Sequence, residues 1–372
     1  MSASNVKWVR LGDYIERSMK NNSDLKYGKE LIEGVNSDGV FCQSKANTDD
    51  VDLKPYKIVN KGDFVYNPSR LNIGSIAYRK GEMCIVSHLY VVFRLNETGR
   101  KCIEPEFLYL YLYRKEFFRQ VTYLNFGSQR PEFNFFELSD IQIPLPDITI
   151  QKELVAAYNG LKRLAEENEA LIEPLQNACQ AYVADCMAKY PMKKIGNQIE
   201  TFDKRNEEGF DYPFMGINKD KTFMPSFADT SDLDRHKYKV ISKGEFVFSG
   251  MQTGRDICIR IGLYNQDTPS LLSPAYTTFS VTNKDLIPEY LFIQFNRYEM
   301  DRYGAFLSDG SIRSNLDWDR FCDIRIPVPP VDVQKAAVDI YNCLEEAKRI
   351  SSEAREQLKT LCPALVQRAS KN

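Results

Sequence analysis

Histidine and cysteine, the residue types most often used for acid–base, nucleophilic and zinc chemistry, are few or widely scattered in this sequence. His88 and His236 are the two histidines, and neither has nearby partners at a spacing that suits general acid–base catalysis. The nine cysteines occur singly, without a Cys-x-x-Cys pair. This pattern predicts reduced, mostly buried thiols in a cytoplasmic protein and no metal site.

Two short stretches match parts of catalytic motifs without completing them. NPSR (67–70) resembles the Asn-Pro-Pro-aromatic loop of adenine methyltransferases, but the second proline and the aromatic residue are missing. DVQK (332–335) matches part of a nuclease Asp-x-x-Lys motif, but it opens a helical pattern and has no second carboxylate in register. The sequence has no phosphate loop of the Gly-x-x-x-x-Gly-Lys-Ser/Thr type. We therefore predict neither ATP hydrolysis nor methyltransferase activity in this chain, and no bound cofactor.

An internal repeat organises the 372 residues. IQIPLPDITIQKELV (141–155) returns as IRIPVPPVDVQKAAV (324–338), and IVNKGDFVYN (58–67) returns as VISKGEFVFS (240–249). Further blocks recur in the same order, with offsets between 182 and 186 residues. Because order and spacing are both preserved, the repeat predicts two similar units.

Each half begins with short strand patterns and turns, mixed with amphipathic helix, and ends in a long helical pattern after a Pro-x-Pro stretch. We predict an α+β fold in which two mixed α/β units are joined by an antiparallel two-helix coiled coil with pseudo-two-fold symmetry. The second helix must run back along the first because domain termini usually lie close together. The predicted boundaries are 1–146 and 191–329 for the two units, and 147–190 and 330–372 for the helical regions.

Heptad patterns predict how the two long helices pair. In the first helix, one apolar stripe begins at Leu154 and repeats every seven residues. A second stripe is expected three residues further on, at Ala157, Leu164, Leu171 and Ala178. Thr149 and Asp332 are expected as N-caps, and Pro174 and Pro363 are expected to kink or interrupt their helices. The residues predicted for helix pairing and partner docking are Leu154, Leu161, Asn168, Leu175, Leu344, Ser351, Leu358 and Leu365.

Composition limits the function classes. No apolar run approaches the roughly 18–20 residues that span a bilayer, so we expect no membrane partner. The net charge is −2, which lacks the basic excess of proteins that hold DNA by charge alone.

Taken together, the paired IPLPDITIQKELV and IPVPPVDVQKAAV, the KGDFVYN and KGEFVFS strands and the Gly-Ser loops at Gly127 and Gly310 resemble the specificity subunit of type I restriction-modification systems. The resemblance covers nearly the whole chain. It implies that the two units are target recognition domains, each reading one half of a split site in double-stranded DNA. It also implies a non-catalytic role in DNA methylation and restriction. The helices would set the distance between half-sites and dock two methyltransferase subunits, with restriction and translocase subunits joining through the complex.

On this resemblance, the side chains that read bases should lie on loops that follow the repeated strands. Arginine pairs with guanine in the major groove, and asparagine or glutamine pairs with adenine. The residues predicted to bind DNA are Asn67, Ser69, Arg70, Asn72, Ser128, Gln129, Arg130, Ser249, Gln252, Thr253, Arg255, Ser311 and Arg313.

Two other functions remain open from the sequence. The recognition subunit of a fused type II restriction-methyltransferase complex would use the same fold. A coiled-coil scaffold that pairs two protein-binding modules would explain the near-neutral charge, although the repeated recognition-domain motifs argue against it.

Overall fold

The computed structural model describes residues 6–43, 51–124, 132–226 and 233–369. The chain divides into two units: unit 1 comprises Met1–Glu166 with Ser351–Asn372, and unit 2 comprises Glu167–Ile350. Both units combine helices with sheets, which confirms the predicted α+β class. The four domain boundaries predicted from the sequence remain a prediction.

Unit 1 is built from short strands and helices that precede a long helix. The strands are β1 (Lys7–Arg10), β2 (Ile15–Arg17), β3 (Glu33–Val35), β4 (Phe41–Gln43), β5 (Lys57–Val59), β6 (Phe64–Tyr66), β7 (Ile76–Tyr78), β8 (Cys84–Val86), β9 (Val91–Leu95) and β10 (Gln142–Leu145). The helices are α1 (Glu97–Cys102), α2 (Pro105–Leu112), α3 (Lys115–Leu124), α4 (Phe135–Asp140) and the long α5 (Ile148–Lys189), of which unit 1 includes the part up to residue 166.

Unit 2 repeats the order of the strands, but not every helix has a counterpart in unit 1. Its strands are β11 (Met192–Lys194), β12 (Ile199–Phe202), β13 (Phe214–Ile217), β14 (Phe223–Pro225), β15 (Lys239–Ile241), β16 (Phe246–Ser249), β17 (Arg260–Leu263), β18 (Ser270–Leu272), β19 (Thr277–Val281) and β20 (Arg325–Pro327). Its helices are α6 (Thr253–Asp256), α7 (Pro288–Phe295), α8 (Tyr298–Leu307), α9 (Trp318–Asp323) and the first part of the long α10 (Val331–Ala369).

The main sheets of the two units share one strand order, whereas the second sheets differ in continuity. The main sheet has the order β2-β9-β6-β7 in unit 1 and β12-β19-β16-β17 in unit 2. A second sheet, β14-β13-β18-β15, is continuous in unit 2. In unit 1 its counterparts form the separate pairs β3-β4 and β5-β8, linked by one parallel bridge between Ile32 and Ile85. The repeat in sequence is therefore a repeat in structure.

The Lys-Gly turns explain why the strands β6 and β16 start where they do. Gly62 and Gly244 adopt φ of +93° and +86°, a region that favours glycine. The next residue in each unit, Asp63 or Glu245, accepts a hydrogen bond from a backbone N–H earlier in the same turn, at 2.9 Å and 2.6 Å. Burial raises the pKa of both carboxyl groups. Each turn thus fixes the entry into a strand of the main sheet.

A buried glutamine joins the long helix α5 to the rest of unit 1. Gln151 has no exposed surface. Its Nε2 donates to the carbonyls of Cys102 at 2.9 Å and Pro146 at 2.8 Å, and its Oε1 accepts from the N–H of Glu104 at 2.9 Å. Because all three partners are backbone groups, this side chain fastens the first turn of α5 to the loop that leads into α2.

Unit 2 has the same arrangement at Gln334, which is also fully buried. Its Nε2 donates to the carbonyls of Asp285 at 2.6 Å and Pro329 at 2.8 Å, and its Oε1 accepts from the N–H of Ile287 at 2.8 Å. We call Gln151 and Gln334 the two glutamine clamps. They account for the repeated Pro-x-Pro and Gln-Lys stretches, because proline ends the strand and the glutamine secures the helix that follows.

Each long helix begins one residue before its predicted cap, so the cap position lies two residues earlier than predicted, and the prolines do not interrupt the helices. Asp147 precedes α5, and its Oδ1 accepts from the N–H of Thr149 at 2.8 Å; this hydrogen bond lowers the pKa of Asp147. The prediction of Thr149 and Asp332 as N-caps was therefore wrong, since each lies inside the first helical turn. Helix α5 continues through Pro174, and α10 continues through Pro363. The prediction that these prolines interrupt their helices was therefore wrong, whereas a kink at either proline stays a prediction.

The stripe that α5 buries differs from the predicted one. Ala157, Leu164, Leu171 and Ala178 are all exposed. The second stripe lies four residues after the first, not three, at residues that are buried or half-buried: Tyr158, Ala165, Ile172, Cys179 and Cys186. Spacings of three and four both repeat every seven residues, so the period alone could not choose between them.

The other predicted stripe positions are at least partly shielded where they are described. On α10, Leu344 and Ser351 are buried and Leu358 is half-buried, whereas the side chain of Leu365 lies outside the described residues. On α5 the half-buried positions are Leu154, Leu161, Asn168 and Leu175. Their roles in helix pairing and docking remain a prediction.

Inside unit 2 the two helices run antiparallel. The hydroxyl of Tyr182, late in α5, donates to the carbonyl of Val333 in the first turn of α10, at 3.2 Å. Earlier in α5, burial raises the pKa of the Cys179 thiol, and the charges of Lys348 and Glu345, later in α10, act on the same group. The predicted direction of the pair is confirmed within this unit.

We predict that Gln151→Ala lowers the free energy of unfolding by about 3 kcal/mol, because it removes the side-chain partner of three buried or part-buried backbone groups. Urea-induced unfolding provides the measurement. Gln176→Ala, at an exposed position on α5, is the matched control and should change stability by less than about 0.5 kcal/mol. Equal stability of the two variants would contradict the role of the clamp.

We predict that Leu175→Ala destabilises unit 2 by about 1–2 kcal/mol, because it removes a half-buried side chain from the helix pair. Leu171→Ala makes the same chemical change at a position that is 51% exposed and should cost less than about 0.5 kcal/mol. Thermal unfolding of both variants tests this. A larger loss of stability in Leu171→Ala than in Leu175→Ala would instead support the stripe predicted from the sequence.

Candidate functional site

In unit 1, the first candidate loop begins directly after β6. Asn67 is half-buried, and its Oδ1 accepts from the N–H of Ser69 at 3.0 Å, which forms a tight turn. Its own N–H donates to the carbonyl of Ser75 at 3.0 Å and so closes the loop. Ser69, Arg70 and Asn72 are exposed. The loop is thus a closed turn that presents polar side chains to solvent.

The second candidate loop of unit 1 precedes Phe133. Ser128, Gln129 and Arg130 lie outside the described residues, so their placement stays a prediction. The N–H of Phe133, just after this stretch, donates to the carbonyl of Pro68 in the first loop at 3.0 Å. One backbone hydrogen bond therefore joins the first loop to the end of the second.

In unit 2, the first loop follows β16 and contains the short helix α6. Ser249 and Thr253 are buried, and the Thr253 hydroxyl donates to the carbonyl of Gly250 at 3.0 Å. Gln252 is half-buried with φ of +61°, and Arg255 is exposed. The side chains of Ser249 and Thr253 therefore lie inside the loop, whereas Arg255 faces solvent.

The second loop of unit 2 connects α8 to α9. The Oδ1 of Asp309 accepts from the hydroxyl of Ser311 at 2.6 Å and from the N–H of Asn315 at 3.0 Å. Ile312 and Arg313 at its tip are exposed, Ile312 completely so. Hydrogen bonds at the base of the loop thus fix its shape and leave its tip open.

The two loops of unit 2 are held against each other. The N–H of Leu316 donates to the carbonyl of Gly250 at 2.9 Å, which is the counterpart of the Phe133–Pro68 bond in unit 1. The N–H of Gln252 donates to the Oδ1 of Asn315 at 3.0 Å, and the N–H of Gly254 donates to the carbonyl of Ser314 at 3.0 Å. The two loops that carry the predicted residues of unit 2 are therefore held side by side.

One carboxylate in the first loop of unit 2 lies beside three cationic side chains. The carboxylate of Asp256 accepts from Arg255 at 2.9 Å and Arg260 at 2.6 Å, and Lys219 lies 3.4 Å away. The hydrogen bond from Arg255 and the charges of Arg255 and Lys219 lower the pKa of Asp256 to about 2. Arg255 also donates to the Oε1 of Gln252 at 2.7 Å, so its guanidinium is fixed in direction.

Arg70 and Arg313 differ from Arg255 in this respect. Within the part of the chain that the structure describes, neither side chain has a hydrogen-bond or ion-pair partner. Each lies on an exposed loop beside other polar groups. Their guanidinium groups are therefore available to bind an external acceptor in two directions at once, as arginine does with guanine or phosphate.

A buried ion pair supports the return of the first loop in unit 2. Lys221 is 6% exposed, and its Nζ donates to both carboxylate oxygens of Asp301 on α8, at 2.7 Å and 2.9 Å. Asp301 also accepts from the N–H of Ile259, where the first loop ends, at 2.9 Å. In unit 1 the residue equivalent to Asp301 is Phe118, which packs its ring edge-on against Tyr113. The two units thus support the same loop with different chemistry.

Sequence reasoning missed the residues that hold the loops together. Asp309, Asn315 and Asp256 make the hydrogen bonds and ion pairs described above, yet none was among the predicted residues. The stretch SDGS (308–311) carries a recognisable signal, because Asp followed by Gly-Ser favours a turn closed by the Asp side chain. The pairing of Asn315 with Gln252 joins residues 63 positions apart and has no local signal.

The described residues form no metal site and no membrane span. Among its residues we find no cluster of three or more His, Cys, Asp or Glu side chains that could hold a metal ion. His88 is exposed, and Nδ1 of His236 lies 3.0 Å from the Glu207 carbonyl. None of the helices in the described ranges combines the length and the apolar character needed to cross a bilayer.

We predict that Gly250→Ala separates the two loops of unit 2. A Cβ at this position would lie 1.7 Å from the backbone oxygen of Leu316, so the backbone must move and the Leu316–Gly250 hydrogen bond must break. Hydrogen exchange at the Leu316 amide should accelerate by about tenfold or more. Gly310→Ala, with no atom within 4 Å of the added Cβ, is the control and should leave the rate unchanged. Unaltered exchange in both variants would disprove the coupling.

Known proteins match this chain over different lengths. Residues 4–176 match the family described as Type I restriction modification DNA specificity domain. The putative type I restriction enzyme MjaX specificity subunit of Methanocaldococcus jannaschii is 20% identical over 381 residues, which cover 91% of this chain and 85% of that protein. The type I restriction enzyme HindI specificity subunit of Haemophilus influenzae is 23% identical over 188 residues, covering 48% of this chain and 40% of that protein.

The fold has a counterpart among solved structures. The crystal structure of the type I restriction-modification S subunit from M. genitalium covers 100% of this chain and 98% of its own, with a TM-score of 0.61 at 13% identity. At that identity the match shows the fold alone. The specificity-domain match and the two relatives agree with the resemblance seen in the sequence: the chain is similar to specificity subunits of type I restriction-modification systems.

Proposed function

We propose that this chain is the non-catalytic DNA recognition subunit of a type I restriction-modification complex. Each unit would use its loop pair to read one half of a split site. The observation that carries the proposal is the equivalent backbone hydrogen bond, Phe133 to Pro68 and Leu316 to Gly250, that ties the loops together in both units. A shared frame with different loop side chains is what two different half-sites require.

The loop arginines support readout in the major groove. Arg70 and Arg313 are exposed and have no partner in the described residues, so each can donate two hydrogen bonds to guanine. Arg255 is oriented by Gln252 and Asp256 and would reach its acceptor in a fixed direction. Asn72 offers the donor and acceptor pair that suits adenine. We propose these side chains as the ones that select bases.

Catalysis and much of the affinity would come from partner proteins. The net charge of −2 gives the chain little attraction for the phosphate backbone, so the isolated chain should bind DNA weakly. Two methyltransferase subunits would complete the grip on the duplex and supply the methylation chemistry, and restriction and translocase subunits would join the same complex. The long helices would set the gap between the half-sites.

The proposal predicts that each unit controls one half of the target. Sequencing of methylated sites in cells that express the chain with its methyltransferase partner should give a split motif. Arg313→Ala should weaken discrimination at one base of one half-site by about 10- to 100-fold and leave the other half unchanged, because the lost contact is local. Arg70→Ala should act in the same way on the opposite half.

Lys284→Ala removes the same charge from an exposed position outside the loops of unit 2 and serves as the control. It should leave the motif as it was. The proposal fails if both arginine variants keep the parental motif, or if either one alters both halves together.

A further inference from the structure

Helices α3 and α8 occupy equivalent places in the two units and carry three matching exposed side chains, two of them identical and the third aromatic in both. Glu116, Arg119 and Tyr123 on α3 correspond to Glu299, Arg302 and Phe306 on α8, with an offset of 183 residues at each position. Spacings of three and four residues place each triad on one face of its helix. Tyr123 is 80% exposed and Phe306 is 82% exposed. We call these two faces the α3 face and the α8 face.

The buried sides of the same helices have diverged. Phe117 and Val121, which pack into the core of unit 1, correspond to Met300 and Gly304 in unit 2. This is the reverse of the usual expectation, because close packing constrains buried residues whereas most exposed residues tolerate substitution. The retention of the exposed triad therefore has a cause outside the folding of either unit.

Contacts within the helices do not provide that cause. Arg119 pairs with Glu116 at 3.1 Å in unit 1, but an exposed ion pair of this kind contributes little to stability. In unit 2 the guanidinium of Arg302 instead lies 5.9 Å from the centre of the Tyr298 ring. The triad is the same although its internal contacts differ, so an external partner explains its retention better.

The chemistry of the faces favours a protein over DNA. Each face presents a carboxylate, which the phosphate backbone would repel. An exposed aromatic ring beside arginine is the composition of residues that dominate binding energy at protein interfaces. Because the two faces match while the recognition loops differ, the partner must present the same surface to both units. Two copies of one protein satisfy this requirement.

We propose that the α3 face and the α8 face each dock one copy of the same protein, the methyltransferase subunit, with Tyr123 and Phe306 as the central anchors. The inference rests on the proposed function for the identity of the partner. It places a contact on the recognition units themselves, in addition to the long helices.

The test measures methyltransferase binding to the full chain by calorimetry and native mass spectrometry. Tyr123→Ala and Phe306→Ala should each weaken one of two binding events by roughly tenfold or more, and the double variant should weaken both. Tyr123→Phe and Phe306→Tyr, which exchange the two residues found in the repeat, should bind like the parent. Phe136→Ala and Phe210→Ala remove exposed rings outside the two faces and should leave both events within about twofold of the parent, since surface substitutions away from an interface change little.

The outcomes separate this inference from the proposed function. A double variant that binds both copies of the methyltransferase with parental affinity overturns the inference. A double variant whose assembled complex loses only affinity for DNA also overturns it, because the faces would then contact DNA. A parental chain that assembles with the methyltransferase but recognises no DNA sequence would refute the proposed function and leave the docking result standing. Circular dichroism and melting curves of all variants should match the parent, because the substituted rings are exposed.

Discussion

A glutamine side chain with no exposed surface has to satisfy its amide group inside the protein, and the two clamps do so entirely with backbone groups. Gln151 binds the loop before α2 and the end of the Pro-x-Pro stretch, and Gln334 does the same before α7. Leaving a buried amide unpaired costs more than the bond itself contributes, so the two segments are strongly coupled. The start of each long helix is therefore fixed against the unit that precedes it.

The frame and the loops of each unit obey different constraints. The frame repeats in detail: the same sheet order, the same Lys-Gly turn and stacked rings at equivalent positions, with Phe64 and Phe93 5.0 Å apart and Phe246 and Phe279 4.9 Å apart. Support for the loops is not repeated, since unit 2 uses the Lys221–Asp301 pair where unit 1 uses packed rings. A frame that tolerates this exchange can carry loops of different specificity without losing its own stability.

The sequence predicted the features that depend on local chemistry. The repeat gave the two-unit organisation, and the Lys-Gly turns marked the starts of β6 and β16. It failed where a choice depended on packing between distant segments. Leu164 and Leu171 are more apolar than Ala165, yet α5 buries Ala165, because the partner helix and not hydrophobicity alone decides which face turns inward. The caps were misplaced by two residues because Asp147 and Thr149 are both good cap formers in sequence.

The candidate site was predictable in its parts but not in its assembly. Residues such as Arg70 and Arg313 could be selected by type and by position after a repeated strand. The contacts between the loops could not be predicted, because the hydrogen bonds at Gly250 and Asn315 connect segments more than sixty residues apart. Gly250 is an example. The backbone of Leu316 passes so close to it that no side chain would fit, but the sequence shows only that a glycine is present.

The distribution of hydrogen bonds in the loops explains how specificity can vary on a constant frame. Backbone groups and short polar side chains such as Asn67 and Asp309 close the turns, so they are already occupied within the protein. Within the described residues, the guanidinium groups of Arg70 and Arg313 make none of these closing hydrogen bonds. One set of residues therefore fixes the shape of the loops, and another set is available to contact a ligand. Under the proposed function, substitutions in the second set can change which base is chosen while the first set keeps the loop in place.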